Sequence, residues 1–307
     1  YKENYSPSYA GAVSLFIHST NKISYYKKNI TVYGSTNFKQ KLSKNYINIE
    51  LTKKVFQSQT KTYVEKFLDL HDGKKVDIVE IHNRPNYVDF LKKMNSNLIL
   101  YFHNDPISMI GSKTIKERVK LLNVCTKIIF NSEWSKKQFL KNLNNFYHKS
   151  DKFEVIHQSI DQTKVDIKKK KNLITFVGKL NTAKGYDIFG KAIIKILNKY
   201  KNWQSTVIGD EPREKHTFLH KNLNVIGFQK HSKVLETFKK SSIAVACSRW
   251  EEPFGRTSLE AASNGCAVII TNRGGLPETI TNGITIEKLS VENVYNSISF
   301  LLLLQSR

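Results

Sequence analysis

The sequence predicts an α/β protein of two doubly wound parallel domains facing a cleft, on three observations. Short Ile- and Val-rich runs alternate with helix-period stretches from end to end. Glycines directly follow several of those runs, and a charged connector poor in apolar residues lies near the middle of the chain. Alternation of this kind is what parallel sheets covered by helices require.

The runs expected to form strands are 30–33, 76–82, 97–103, 127–131, 173–178, 203–209, 223–226, 243–247 and 267–271. They are almost continuously apolar, as strands buried on both faces should be. Between them, 186–200 places Ile188, Phe189, Ala192, Ile193, Ile196 and Leu197 at helical spacing. Residues 156–161 read as the last edge of the first domain, and 164–171 as the connector. A fresh strand ending in Gly178 then opens the second domain, giving Rossmann-like domains over 1–165 and 166–307. A domain of this type is expected to open on an apolar strand, which residues 1–10 do not supply. The final stretch, 301–307, is unusually apolar for a surface end.

With 307 residues, 40% of them hydrophobic, the chain can bury two cores. Its formal net charge is +23, and residues 1–170 hold 30 Lys and Arg against 15 Asp and Glu. Nucleic acid is not an expected partner, because neither aromatics interleaved with the cations nor a helix-turn-helix or zinc-finger pattern is present. Phosphorylated substrates and an anionic membrane surface fit the charge, and so does a general lysine bias spread over solvated faces. Cys125, Cys247 and Cys266 have no zinc-ligand or redox spacing, which fits reduced thiols in a cytoplasmic protein. No apolar run approaches the ~20 residues that span a bilayer.

The densest constellation is Ser248-Arg-Trp-Glu-Glu252-Pro-Phe254-Gly255-Arg256-Thr257-Ser-Leu-Glu260, directly after the run 243–247. Pro253 and Gly255 force a turn, a helix is expected from about Arg256, and Gly265 is placed to end it. A helix start at the carboxyl edge of a parallel sheet presents free N–H groups and a positive dipole end, which suits a diphosphate. Glu260, one turn inside, can accept from the vicinal hydroxyls of a ribose, and Glu252 would reach the other end of the same ligand. Two glutamates eight apart are common by chance; the turn between them, after a buried strand, is what gives them meaning.

This stretch resembles the E-x7-E signature of the retaining group 1 glycosyltransferases, glycosyltransferase family 4, which have the GT-B fold. Residues 267–278, ending Gly274-Gly-Leu-Pro-Glu278, are similar to that family's following strand and GG-x-PE turn. Phe176-Val-Gly-Lys179 through Lys184-Gly185 resembles another of its segments, and the turns at 207–210 and 225–228 match two more. By this resemblance Lys179 and Lys184 bind the donor diphosphate, and Gly227 and Phe228 contact the nucleotide base. Phe254, Gly255, Arg256 and Thr257 surround the phosphates. Ser8-Tyr-Ala-Gly11-Ala stands where the family has its glycine-rich loop, one of whose two glycines is alanine here. His103 matches the histidine that faces the donor sugar, with a satisfied structural histidine as the alternative; Arg84 and Asn104 are placed to contact an acceptor.

The activity implied is transfer of a sugar from a nucleoside diphosphate to an acceptor hydroxyl with the α-configuration kept. His103, Glu252 and Lys184 would be the catalytic set, with no metal or cofactor required. The acceptor implied is a lipopolysaccharide-core or other lipid-linked glycan at the inner face of a membrane. A nucleotide-sugar epimerase or a glycan phosphorylase could share the architecture, whereas a dehydrogenase lacks its G-x-G-x-x-G. A non-catalytic anionic-ligand binder would leave the Glu252–Glu260 cluster without a role.

Overall fold

The structure, a computed structural model, describes residues 3–51, 58–161 and 164–305. Chain contacts divide it into two units, Tyr1–Ser159 and Ile160–Arg307. The division falls a few residues before the expected join at 165/166; Gln162 and Thr163 of that join, like Tyr1 and Arg307, lie outside the described residues.

The first unit runs α1 (Ala12–Ile23), β1 (Val32–Gly34), β2 (Tyr46–Asn48), α2 (Gln59–Asp69), β3 (Ile78–His82), α3 (Val88–Leu91), β4 (Asn97–Phe102), α4 (Ile115–Val124), β5 (Lys127–Phe130), α5 (Glu133–Leu140), α6 (Asn145–His148) and β6 (Phe153–Val155). Strands β3 to β6 form a parallel sheet in sequence order, and β1 pairs with β2 separately. The last edge is therefore 153–155 rather than the expected 156–161. Phe153 is buried in the core, whereas Ile156, already half exposed, would face solvent in a longer strand. Leu100, Phe102, Ile128, Phe130 and Phe139 are fully buried around the sheet.

The second unit runs β7 (Lys171–Val177), α7 (Tyr186–Lys199), β8 (Gln204–Ile208), β9 (Leu223–Val225), α8 (His231–Lys240), β10 (Ser241–Ala246), α9 (Arg256–Ser263), β11 (Ala267–Thr271), β12 (Ile284–Ile286) and α10 (Val291–Gln305). Its parallel sheet has the order β12-β11-β10-β7-β8-β9. The chain starts at the centre, winds outward through β8 and β9, then returns to build β10, β11 and β12 on the other side. Consecutive residues of β10 serve opposite cores: Ile243 and Val245 pack towards α7 and α10, Ala244 towards α8 and α9. Period-two alternation with both faces covered is why these strands read as unbroken apolar runs. Fully buried Phe189, Ile193 and Ile196 anchor α7, each contributing about 1.5–3 kcal/mol. The apolar end of the chain finds a partial explanation in α10, whose Val294, Ile298 and Leu302 enter this unit's own core while Leu303 and Leu304 stay exposed.

The strands β2 and β12 were not expected. Each has three residues, too few for a period to show.

Candidate active site

In the second unit the winding direction reverses between β7 and β10, and crevices at the carboxyl ends of such strands are where α/β sheets bind ligands. Both charged segments singled out in the sequence leave the sheet there. After β7 come Gly178 and exposed Lys179, then a 3-10 turn, Thr182–Lys184, capped by the Asn181 side chain. After β10 the loop 248–250 is tied to that turn: the Arg249 and Trp250 amides and the Ser248 hydroxyl all donate to the Ala183 carbonyl. Arg249 also grips Asp187 with two hydrogen bonds, 2.6 and 2.8 Å.

These ties bring Lys184 to Glu252, and the two form an ion pair. The glutamate is held from behind by the glycine pair after β11. Gly275 N–H donates to the Glu252 carbonyl at 2.6 Å, and a Cβ on Gly274 would lie 2.1 Å from that carbonyl oxygen. Gly274 also has φ +61°, so close approach and left-handed backbone both exclude a side chain. The expected turn at 253–255 is present. Phe254 is buried, and Gly255, at φ +110°, opens α9 without any side-chain cap. Arg256 and Thr257 stand in the first turn, where helix N–H groups have no partner within the helix.

Glu260 is buried, and its Oε1 accepts from Arg256 Nε and pairs with His231 Nε2, both at 2.8 Å. The outer guanidinium nitrogen Nη1 of Arg256 is buried with no hydrogen-bond partner among the described residues. Such an orphan is costly unless something else meets it. Beyond β8 and β9 the strand-end turns lock together, Gly209 N–H donating to the Gly227 carbonyl at 2.9 Å. Gly227 has open space above its Cα, and Phe228 is more than half exposed. Two polar neighbours of these segments were not anticipated. His231 carries no sequence signal beyond opening the helix after the 225–228 turn. Glu211 is bonded by Arg213 at 2.6 and 2.8 Å, which draws its carboxyl down to about 2.

In the first unit His103 lies one residue past β4 and is buried, with both ring nitrogens engaged: Nε2 by His82 Nδ1 at 2.9 Å, Nδ1 by the Gln158 amide at 3.0 Å. Burial first, and the neighbouring His82 second, hold its pKa well below the usual imidazole value, so the ring stays neutral. Asn83, non-glycine at φ +54°, turns the chain after β3 and accepts from the His103 and Asn104 amides. Arg84 donates to the Asn83 carbonyl, and Asn104 is exposed. Gly11 caps α1, but the anion position there is already filled: the Glu3 carboxylate accepts from the Ser14 amide at 3.0 Å and lies against Gly11.

The three cysteines are buried free thiols, with Cys125 and Cys247 pushed up to about 12 by burial. Among the described residues, no group of three His, Cys, Asp or Glu could hold a metal, and no helix is long and apolar enough to cross a membrane.

Two parallel α/β units, the second with a cationic strand-end site bracketed by Glu252 and Glu260, define a protein of the GT-B class. Residues 157–305, nearly the whole of the second unit, match the family model described as "Glycosyl transferases group 1". It is 24% identical over 239 residues to spore coat protein SA of Bacillus subtilis, covering 68% of this chain and 63% of that relative. The chain therefore spans less than two thirds of that relative's length. Among solved structures it is similar to Anabaena Alr3699/HepE in complex with UDP-glucose, at TM-score 0.74 and 16% identity over 98% of this chain and 88% of that one. It is also similar to the apo form of the lipopolysaccharide outer core galactosyltransferase WaaB, at TM-score 0.68 and 16% identity over 97% and 88%. These two likenesses show the GT-B fold.

Proposed function

We propose that the chain transfers a sugar from a nucleoside diphosphate to an acceptor hydroxyl with retention of configuration. The observation that carries this reading is the pair Glu252 and Glu260 on either side of the uncapped start of α9, with the part-buried Arg256 between them. In this reading the diphosphate meets Lys179, Lys184, Arg256 and the first N–H groups of α9. Glu260 holds the ribose, Gly227 and Phe228 the base, and Glu252 the sugar. The donor would take over Lys184, which releases Glu252 from its ion pair. Cations aimed at the departing phosphate supply the charge stabilisation that transfer needs, without a metal. The leaving phosphate oxygen takes the proton of the incoming hydroxyl. His103 meets the donor sugar, Gly11 gives the phosphates close approach once Glu3 withdraws, and Arg84 and Asn104 serve the acceptor. Binding of UDP-glucose by a protein of the same fold supports a nucleotide-sugar donor.

The test is calorimetry and turnover with UDP-, GDP- and ADP-sugars, with and without chelator, and the anomeric configuration of any product read by NMR. Glu260→Ala removes the carboxylate shared by Arg256 and His231 and is expected to weaken nucleotide binding about a hundredfold, ~3 kcal/mol. No binding of any donor by the wild type, or unchanged nucleotide affinity in E260A, would sink the reading.

For the acceptor we propose a lipid-linked glycan, of lipopolysaccharide-core or similar type, at a cytoplasmic anionic surface. The excess of cations in residues 1–170 supports this, and so does the segment at the end of α1. There Ile23, Tyr25 and Tyr26 are 74%, 92% and 66% exposed among exposed Lys22, Lys27 and Lys28. Amphipathic rings and cations together suit a headgroup region. Co-sedimentation with phosphatidylglycerol vesicles at low salt, abolished at high salt, is expected; equal recovery with phosphatidylcholine vesicles would remove the anionic-surface reading.

A further inference from the structure

A carboxylate, two imidazoles and an amide form one unbroken hydrogen-bonded chain in the first unit. Glu80 Oε1 lies 2.9 Å from His82 Nε2, His82 Nδ1 lies 2.9 Å from His103 Nε2, and His103 Nδ1 lies 3.0 Å from the Gln158 amide nitrogen. The register explains the meeting. Glu80 and His82, two apart, share a face of β3, and β3 pairs His82 with Tyr101 of β4, two residues before His103. The Tyr101 ring stacks on His103 at 4.2 Å and Phe16 meets it edge-on at 5.0 Å. Packing fixes where the ring sits and leaves only its proton to be placed.

One end of the chain settles that. An ionised carboxylate can only accept, so His82 must carry its proton on Nε2. In a neutral His82 ring Nδ1 then accepts, which puts the His103 proton on Nε2. His103 Nδ1 is left as a lone pair, met by the Gln158 N–H. Glu80 is suited to this end: against the opposing effect of burial, its bond to His82 keeps the carboxyl below its usual pKa.

We propose that Glu80 and His82 are positioning residues that hold His103 as the Nε2–H tautomer, keeping Nδ1 an acceptor for a substrate hydroxyl, with Gln158 occupying Nδ1 until that hydroxyl arrives. The proposal rests on the reading of His103 as the residue that meets the donor sugar, and it extends that reading to three side chains with no role in it. Replacing the carboxylate by an amide removes the constraint. With Glu80→Gln the amide N–H can donate to His82 Nε2, His82 Nδ1–H to His103 Nε2, and His103 Nδ1–H to the Gln158 carbonyl oxygen. In that reversed chain Nδ1 is a donor and the acceptor has gone.

The experiment is long-range 1H–15N NMR on the full chain labelled at histidine, at neutral pH, with the two rings assigned from His82→Asn and His103→Asn. Wild type is expected to show both rings as Nε2–H. E80Q is expected to move a measurable fraction of both to Nδ1–H; Glu80 is half exposed, so glutamine keeps the local shape. With the donor found active in the panel, E80Q should lower kcat at least about tenfold, since an imidazole in the wrong tautomer is badly impaired, while leaving the donor KM within about threefold. An Nδ1–H ring in the wild type, or identical tautomer ratios in E80Q and wild type, overturns the proposal whatever the activity. If the tautomers behave as expected but His103→Asn turns over like wild type, the sugar-facing reading of His103 fails and the positioning role falls with it.

Discussion

The two strand-end clusters of this molecule solve opposite electrostatic problems. The second unit gathers formal charge: Lys184 with Glu252 and Arg256 with Glu260, with Lys179 exposed nearby. The first unit surrounds one neutral ring: His103 is buried under Tyr101 and Phe16 and shares hydrogen bonds with an amide and a second imidazole. Charge at this sheet edge is held as ion pairs, which the proposed donor would take apart. A group that must stay uncharged is put where burial enforces it. The same sheet architecture serves both, because the carboxyl edge of parallel strands delivers loops to one side in either unit.

The comparison can be broken most sharply at Lys184. Lys184→Ala strips one cation from the charged cluster and leaves Glu252 unpaired; turnover should fall about 10²–10³-fold. Affinity for the nucleoside monophosphate, which reaches only part of the cluster, should change little by calorimetry. Equal losses for monophosphate and diphosphate would show that the lysine supports the fold rather than the diphosphate.

Gly274→Ala tests whether the charged cluster depends on backbone placement. A Cβ 2.1 Å from the Glu252 carbonyl oxygen, at φ +61°, should cost about 2–3 kcal/mol. Urea unfolding should show it as a lower midpoint with the slope unchanged, and a midpoint equal to wild type would mean that the turn can open without strain.

The smallest effect expected is a pH dependence from the neutral cluster. In the unfolded chain His103 titrates near 6.5, whereas the folded ring refuses the proton until well below that value. Under more acidic conditions the unfolded state therefore binds more protons, and stability falls with pH at up to about 1.4 kcal/mol per unit below 6.5. Unfolding midpoints at pH 7 and 5.5 should differ by less in His103→Asn than in wild type, and equal slopes would mean that the ring is protonated in the native state.

Much of this was legible in the residues alone. Nine of the expected strands are present, with ends shifted by a few residues, because both-face burial leaves an apolar run wherever a central strand lies. The turn and helix from Pro253 to Ser263 were legible for the same local reason: strand, turn and helix start are contiguous, and Gly255 and Arg256 mark the junction. The links between distant segments were not. Lys184 and Glu252 are 68 residues apart and His231 and Glu260 are 29 apart. They meet because β7 lies beside β10 and α8 packs against α9, an order that no local period encodes. Glu80 and His82 on β3, His103 after β4 and Gln158 after β6 likewise meet only because their strands share one sheet. Side-chain chemistry and spacing settled what each segment could bind or accept; sheet order and strand register, which are global properties of the folded chain, settled which of those groups share a hydrogen bond.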